Sequence, residues 1–155
     1  MQKTIWTSFL FILALSAFGQ TKNDLATYNF GFEHVEKGNP TNWTHFGSSN
    51  YNIALDSTHV KNGNYSSSIS YEGENLDFGA LAYTLPSNYA GKRITIKGFI
   101  KTENVTDGFA GLWMRLDPSV GFNNMNNRGI QGTTDWKEYQ ITLVMKPEET
   151  QQIVI

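Results

Sequence analysis

The chain contains no cysteine. That excludes disulfides, thiol nucleophiles, cysteine-held zinc and a lipid anchor on a cysteine after an export leader. Packing, or a bound ion, must hold whatever folds. Histidine is scarce: His34, His45 and His59 are the three present, without close ligand spacing, so zinc is not expected. No segment repeats, and no long stretch has helical period. Basic residues do not outnumber acidic ones, 12 against 14, for a net charge of −2. Lacking a basic patch or stripe, the pattern leads us to expect no nucleic-acid partner. No G-x-S-x-G elbow is present. Asp56-Ser57-Thr58-His59 holds three triad residue types, but a triad is recognised by geometry, not adjacency. No catalytic residue is expected.

Long apolar runs are missing as well, apart from Ile5 to Leu15 near the start. That run follows Lys3 and is too short for a membrane span, which needs roughly 20 apolar residues. Ala17 and Gly19 then stand at −3 and −1 before Gln20. This layout predicts a secretory signal peptide over residues 1–19, cleaved near Gly19-Gln20. The remainder, residues 20–155, would be one domain in the periplasm or outside the cell. Its net charge would stay acidic once Lys3 is gone.

What is abundant is Gly, Asn, Ser and Thr, set between segments of period two. Arg93 to Lys101 puts Ile94, Ile96 and Ile100 on one face and Thr95, Lys97 and Lys101 on the other. Gly108 to Asp117 groups Leu112, Met114 and Leu116 and turns Trp113 and Arg115 away. Trp136 to Leu143 groups Tyr139, Ile141 and Leu143. Residues 51–55, 64–71 and 77–85 read as further strands. Asn62-Gly63, Asp107-Gly108 and Asp117-Pro118 read as turns between them. Short strands at this spacing predict an all-β chain, an antiparallel β-sandwich of jelly-roll type from about Asp24 onward. Gln151 to Ile155 begins an apolar strand and stops within it, an unpaired edge that domains normally cover. The domain is therefore expected to be incomplete at its C-terminus.

Several motifs carry a resemblance. Asn29-Phe30-Gly31-Phe32-Glu33 is followed by Gly38-Asn39-Pro40 and Asn42-Trp43, then by Asn62-Gly63-Asn64-Tyr65-Ser66. This order resembles galactose-binding-like jelly-roll modules, including carbohydrate-binding modules of the CBM4/9/22 type. Tyr89-Ala90-Gly91-Lys92, Lys101-Thr102-Glu103-Asn104-Val105 and Gly132-Thr133-Thr134-Asp135-Trp136 extend it. Together they are similar to the N-terminal module of secreted Bacteroidetes hydrolases, chiefly S41-family serine peptidases. The resemblance implies a non-catalytic accessory or docking module whose partner is its own catalytic domain. It also implies a structural calcium ion held by Glu33 and by the turn from Lys61 to Asn64 through backbone carbonyls. A simpler reading is that Glu33 caps or pairs at a strand end.

Two other functions fit the same residues. One is a carbohydrate-binding module with a glycan partner. Phe99, Trp113 and Trp136 oppose the aliphatic stripes of their strands, and Arg115 shares the face of Trp113. The four could line one concave surface on which sugar rings stack, beside polar groups that fix hydroxyls. The simpler reading is that they plug sheet edges or pack on a neighbouring domain, since aromatics are mostly packing residues. The other is the same module in a secreted esterase.

Overall fold

A computed structural model of the chain describes residues 3–8, 28–74 and 77–155. Twelve β-strands are present and no helix among the described residues, hence none long and apolar enough to cross a membrane. The strands are β1 (Lys3–Ser8), β2 (Val35–Glu36), β3 (Asn39–Pro40), β4 (Trp43–Gly47), β5 (Tyr51–Asp56) and β6 (Ser66–Tyr71). They continue as β7 (Gly79–Leu85), β8 (Arg93–Ala110), β9 (Met114–Asp117), β10 (Gly121–Asn123), β11 (Ile130–Val144) and β12 (Gln152–Val154). One sheet runs β11-β8-β1-β6-β5 and the other β10-β9-β12-β7-β4, with β2-β3 as a small hairpin. Every pairing is antiparallel. The chain crosses repeatedly from sheet to sheet, as in a jelly-roll β-sandwich.

The aliphatic stripes meet between the sheets. Ile96, Ile100 and Ile141 of the first sheet and Met114, Leu116 and Ile153 of the second are fully buried. Phe32, Trp43 and Tyr83 close one end of this core. The order of residues 29–43 explains how. Asn29, buried, donates through Nδ2 to the carbonyls of His34 at 2.8 Å and Thr41 at 3.1 Å, and its Oδ1 accepts the His34 N–H at 2.9 Å. Trp43 Nε1 donates to the Asn29 carbonyl at 2.7 Å. Between these contacts, Lys37 and Gly38 both take positive φ, 51° and 82°. That is the type I′ geometry of a two-residue hairpin loop.

Two differences from the sequence reading have physical reasons. Asp107-Gly108 does not break the chain: β8 runs through it to Ala110. Asn104, Gly108 and Gly132 take positive φ there, and the β8–β11 register shifts at Gly132 and Thr134. The turn-forming residues make bulges, which bend a strand without ending it. Second, β12 is not an open edge. It lies inside the second sheet, paired with β7 through Ile153↔Leu85 and with β9 through Ile153↔Leu116. Lys3–Ser8 pair with both β6 and β8. The expected cleavage position at Gly19-Gln20 and the expected start of the sandwich near Asp24 lie outside the described residues.

Candidate functional site

The four aromatic and basic residues expected on one concave face divide between the two sheets. Phe99 lies on the outer face of β8, between inward-facing Gly98 and Ile100. Trp136 follows Asp135 in the irregular stretch of β11, where the register shifts between Thr134 and Lys137. Arg115 lies on β9 of the second sheet and Trp113 just before that strand, with the guanidinium 5.9 Å from the indole ring. No common face joins the two pairs.

Around Phe99 the outer face of the first sheet gathers charge. Residues of odd number along β8 alternate outward, so Arg93, Lys97 and Lys101 share its face with Glu103. Lys61 reaches in from the β5–β6 connection, its Nζ 5.3 Å from the Phe99 ring. Lys97 Nζ pairs with Glu138 at 3.4 Å and Lys101 Nζ with Asp135 at 3.1 Å. The Trp136 backbone N–H, with Lys101, holds the Asp135 carboxyl below its usual range. These exposed pairs fix side-chain position more than they add stability.

The expected calcium positions are drawn together differently. Glu33 Oε1 accepts the Asn64 and Tyr65 backbone N–H groups at 2.9 and 3.3 Å, and Oε2 accepts Asn64 Nδ2 at 2.9 Å. Thus Asn64 meets the carboxylate through N–H donors, while Lys61 points to Phe99. Burial acts to raise the Glu33 pKa, but the Asn64 and Tyr65 donors outweigh it and hold the carboxyl below its ordinary range. Among the described residues, no three His, Cys, Asp or Glu side chains cluster as a metal site.

This bridge needs Gly63, which has φ 78° and on which a Cβ would collide with the Glu33 carboxylate. Gly63→Ala is therefore expected to lose at least the left-handed backbone cost, about 1–2 kcal/mol, in urea unfolding. A lowered folded-state pKa gives stability that is present above the unfolded carboxyl range and is lost as pH falls through the folded value. Glu33→Gln should accordingly flatten the acid limb of stability against pH. An unchanged acid limb would show the bridge to be idle.

The Asp56–His59 run closes on itself. The Asp56 carboxylate accepts the Thr58 hydroxyl at 2.7 Å, the His59 backbone N–H at 3.0 Å, and pairs with His59 Nδ1 at 2.8 Å. Burial opposes ionisation, yet these donors hold the Asp56 carboxyl far below its usual range. The imidazole packs on Trp6 in a tilted arrangement, with centroids 4.1 Å apart.

One feature escaped the sequence reading. A cavity of about 340 Å³ lies between the sheets, floored by Ile69, Ile96, Ile100 and Val105. Phe78, Phe109 and Trp113 stand at its mouth. Phe46 stacks on Trp113 at 5.7 Å, and Phe78 meets both rings edge-on at 6.0 and 6.4 Å. Phe46 and Phe78 are about half exposed. Their place at a strand end, rather than any alternation, is the signal that was available.

No family model matches the chain, and no solved structure matches it. Among curated proteins, one stretch of 59 residues, 36% of this chain, is 49% identical to an uncharacterised HTH-type transcriptional regulator, YbfP, of Bacillus subtilis strain 168. The chain covers 20% of that protein's length. This finding overturns the expected accessory module of a secreted hydrolase, with its carbohydrate-binding and esterase alternatives. The expected glycan and catalytic-domain partners fall with it. The turn glycines and aromatics behind that expectation serve the sandwich itself, and a fold does not specify a function. The exclusion of nucleic acid is overturned too. It rested on net charge, which hides the cations that β8 and Lys61 place on one face.

Proposed function

We propose that this chain is a non-catalytic β-sandwich module of a regulatory protein, and that it contacts nucleic acid through the outer face of the first sheet. The observation that carries the reading is the 59-residue stretch shared with a transcriptional regulator at 49% identity. A helix-turn-helix reads DNA by laying a helix in the major groove. The described residues contain no helix, so contact from them has to come from a sheet. Sheets hold single strands by stacking bases on exposed aromatic rings flanked by cations.

Phe99 with Lys61, Lys97, Lys101 and Arg93 supports this chemistry. Glu103, Asp135 and Glu138 stand among them, so the face has only a small positive excess, on a chain of net charge −2. Phosphates must displace Asp135 and Glu138 from their lysines. The contact is weak and falls steeply with salt. The test is fluorescence anisotropy of a labelled oligothymidylate titrated with the chain at low salt. Phe99→Ala should weaken binding about tenfold or more, as expected for losing one stacked base at about 1–3 kcal/mol. Equal affinity of a folded Phe99→Ala variant would remove the sheet face from the reading.

A further inference from the structure

Asn62-Gly63 lies in the connection between β5 and β6, and both residues are exposed. An asparagine can be attacked at its side-chain carbonyl carbon, Cγ, by the backbone nitrogen of the residue that follows. The two groups share one chain, and such intramolecular attack far exceeds attack by free water. Crowding at the nitrogen sets the pace. A Cβ on the following residue hinders the approach, and glycine has none. Asn62 is the one asparagine of this chain that precedes glycine. Asn39 precedes Pro40, whose nitrogen carries no hydrogen, and Asn104 precedes β-branched Val105.

The fold leaves the two reacting groups uncovered. Neither the Asn62 side chain nor the Gly63 N–H has a hydrogen-bond partner among the described residues. Other side-chain amides are tied down: that of Asn29 to the His34 and Thr41 carbonyls, that of Asn64 to Glu33. The grip of Glu33 on the backbone begins one residue after Gly63, at the Asn64 N–H. The peptide unit between Asn62 and Gly63 therefore lies outside it. The same carboxylate sits directly against Gly63, so a change in the main chain at this point is felt by Glu33.

We propose that Asn62 is a site of spontaneous modification, at which the Gly63 nitrogen closes on Asn62 Cγ and the resulting isoaspartate undoes the Glu33 bridge. In the first step the Gly63 nitrogen gives its proton to solvent base and forms a C–N bond to Cγ. Nδ2 takes a proton from water and leaves as ammonia, and a five-membered succinimide remains. Water then adds to one of the two imide carbonyls. Breaking the bond from nitrogen to Cγ leaves aspartate, whereas breaking the bond from nitrogen to the main-chain carbonyl carbon leaves isoaspartate. The balance is one water in and one ammonia out, with nothing oxidised or reduced. Isoaspartate routes the main chain through Cβ and Cγ and lengthens it by one methylene just before Gly63. The Asn64 and Tyr65 N–H groups then no longer meet Glu33 together. Either product also sets a new carboxylate near that of Glu33, and like charges oppose each other. The reaction needs no partner, so it does not rest on the nucleic-acid reading.

The test incubates the folded chain in mildly alkaline buffer made with oxygen-labelled water and follows each asparagine by peptide mapping and mass spectrometry. Asn62 should convert at least tenfold faster than Asn50, Asn64 or Asn88. Each converted chain should retain one labelled oxygen, and its peptide should accept a methyl group from protein isoaspartate methyltransferase. Asn62→Gln keeps the amide but forces a six-membered ring, and should convert at least tenfold more slowly. The isoaspartate fraction, separated by ion exchange, should unfold at lower urea and show the flattened acid limb of Glu33→Gln. If Asn62 stays intact in the folded chain while a free Val-Lys-Asn-Gly-Asn-Tyr peptide converts, the turn protects the site and the proposal is wrong. Equal conversion of Asn62→Gln would overturn ring closure by Gly63. An isoaspartate fraction with the unmodified urea midpoint would overturn the link to Glu33.

Discussion

Trp43→Ala is expected to lower the unfolding free energy by about 4 kcal/mol, the range for deleting a large buried aromatic. Trp43 is 8% exposed and packs on Phe32 at 4.9 Å and Tyr83 at 5.1 Å. Its indole N–H also holds the Asn29 carbonyl. Removal leaves a cavity beside the Phe32 and Tyr83 rings and unties the 29–43 segment. Trp43→Phe separates the two losses. It keeps a ring in place but gives up the hydrogen bond, and should cost about 1–2 kcal/mol for the bond plus whatever packing the smaller ring loses. Urea unfolding followed by far-ultraviolet circular dichroism measures both. A Trp43→Ala loss under 1 kcal/mol would mean that the Asn29–Trp43 junction does not anchor this end of the sandwich.

Ile153→Ala should cost about 3 kcal/mol for comparable reasons. Ile153 is fully buried and lies opposite Leu85 and Leu116 on the neighbouring strands. β12 spans only Gln152–Val154, and Ile153 is its most deeply buried side chain, ahead of Val154. The same change at an exposed sheet edge would lie within a few tenths of a kcal/mol. The variant therefore tests the order β9-β12-β7 directly. The expected signature is a lower urea midpoint with an unchanged slope, which marks lost stability without a change in the surface exposed.

The sandwich was legible because its signal is local. The alternations at Ile94-Ile96-Ile100, Met114-Leu116 and Ile141-Leu143 depend on period two alone, and most of these side chains are buried where the pattern puts them. Strand ends were less legible. Asp107-Gly108 has turn chemistry, and nothing local says that β8 will bulge there against β11 and keep the ladder going. The grouping of side chains was not legible at all. Parity places Phe99 and Trp113 outward on their strands, but whether outward faces coincide depends on which sheet each strand joins. Likewise Lys61 was read with Glu33 because they are parts of one motif, whereas the fold lays its ammonium on Phe99. The Phe46–Phe78–Trp113 cluster joins three segments far apart in sequence and appears only once β12 sets the β7–β9 spacing.

Charge illustrates the same point. A total of −2 argues against a polyanion partner only if charge is spread evenly. β8 does not spread it: Arg93, Lys97 and Lys101 stand on one face because they share parity. The measurement that tests the nucleic-acid reading most directly is the salt dependence of oligothymidylate binding by the wild-type chain and by Lys97→Glu/Lys101→Glu. If about three cations meet phosphates, log K for a single strand should fall with a slope of about −2 against log salt. The double variant should bind at least tenfold more weakly at low salt and show a slope near zero. A wild-type chain that leaves the anisotropy unchanged at low salt, or a folded double variant with the wild-type slope, would contradict the account.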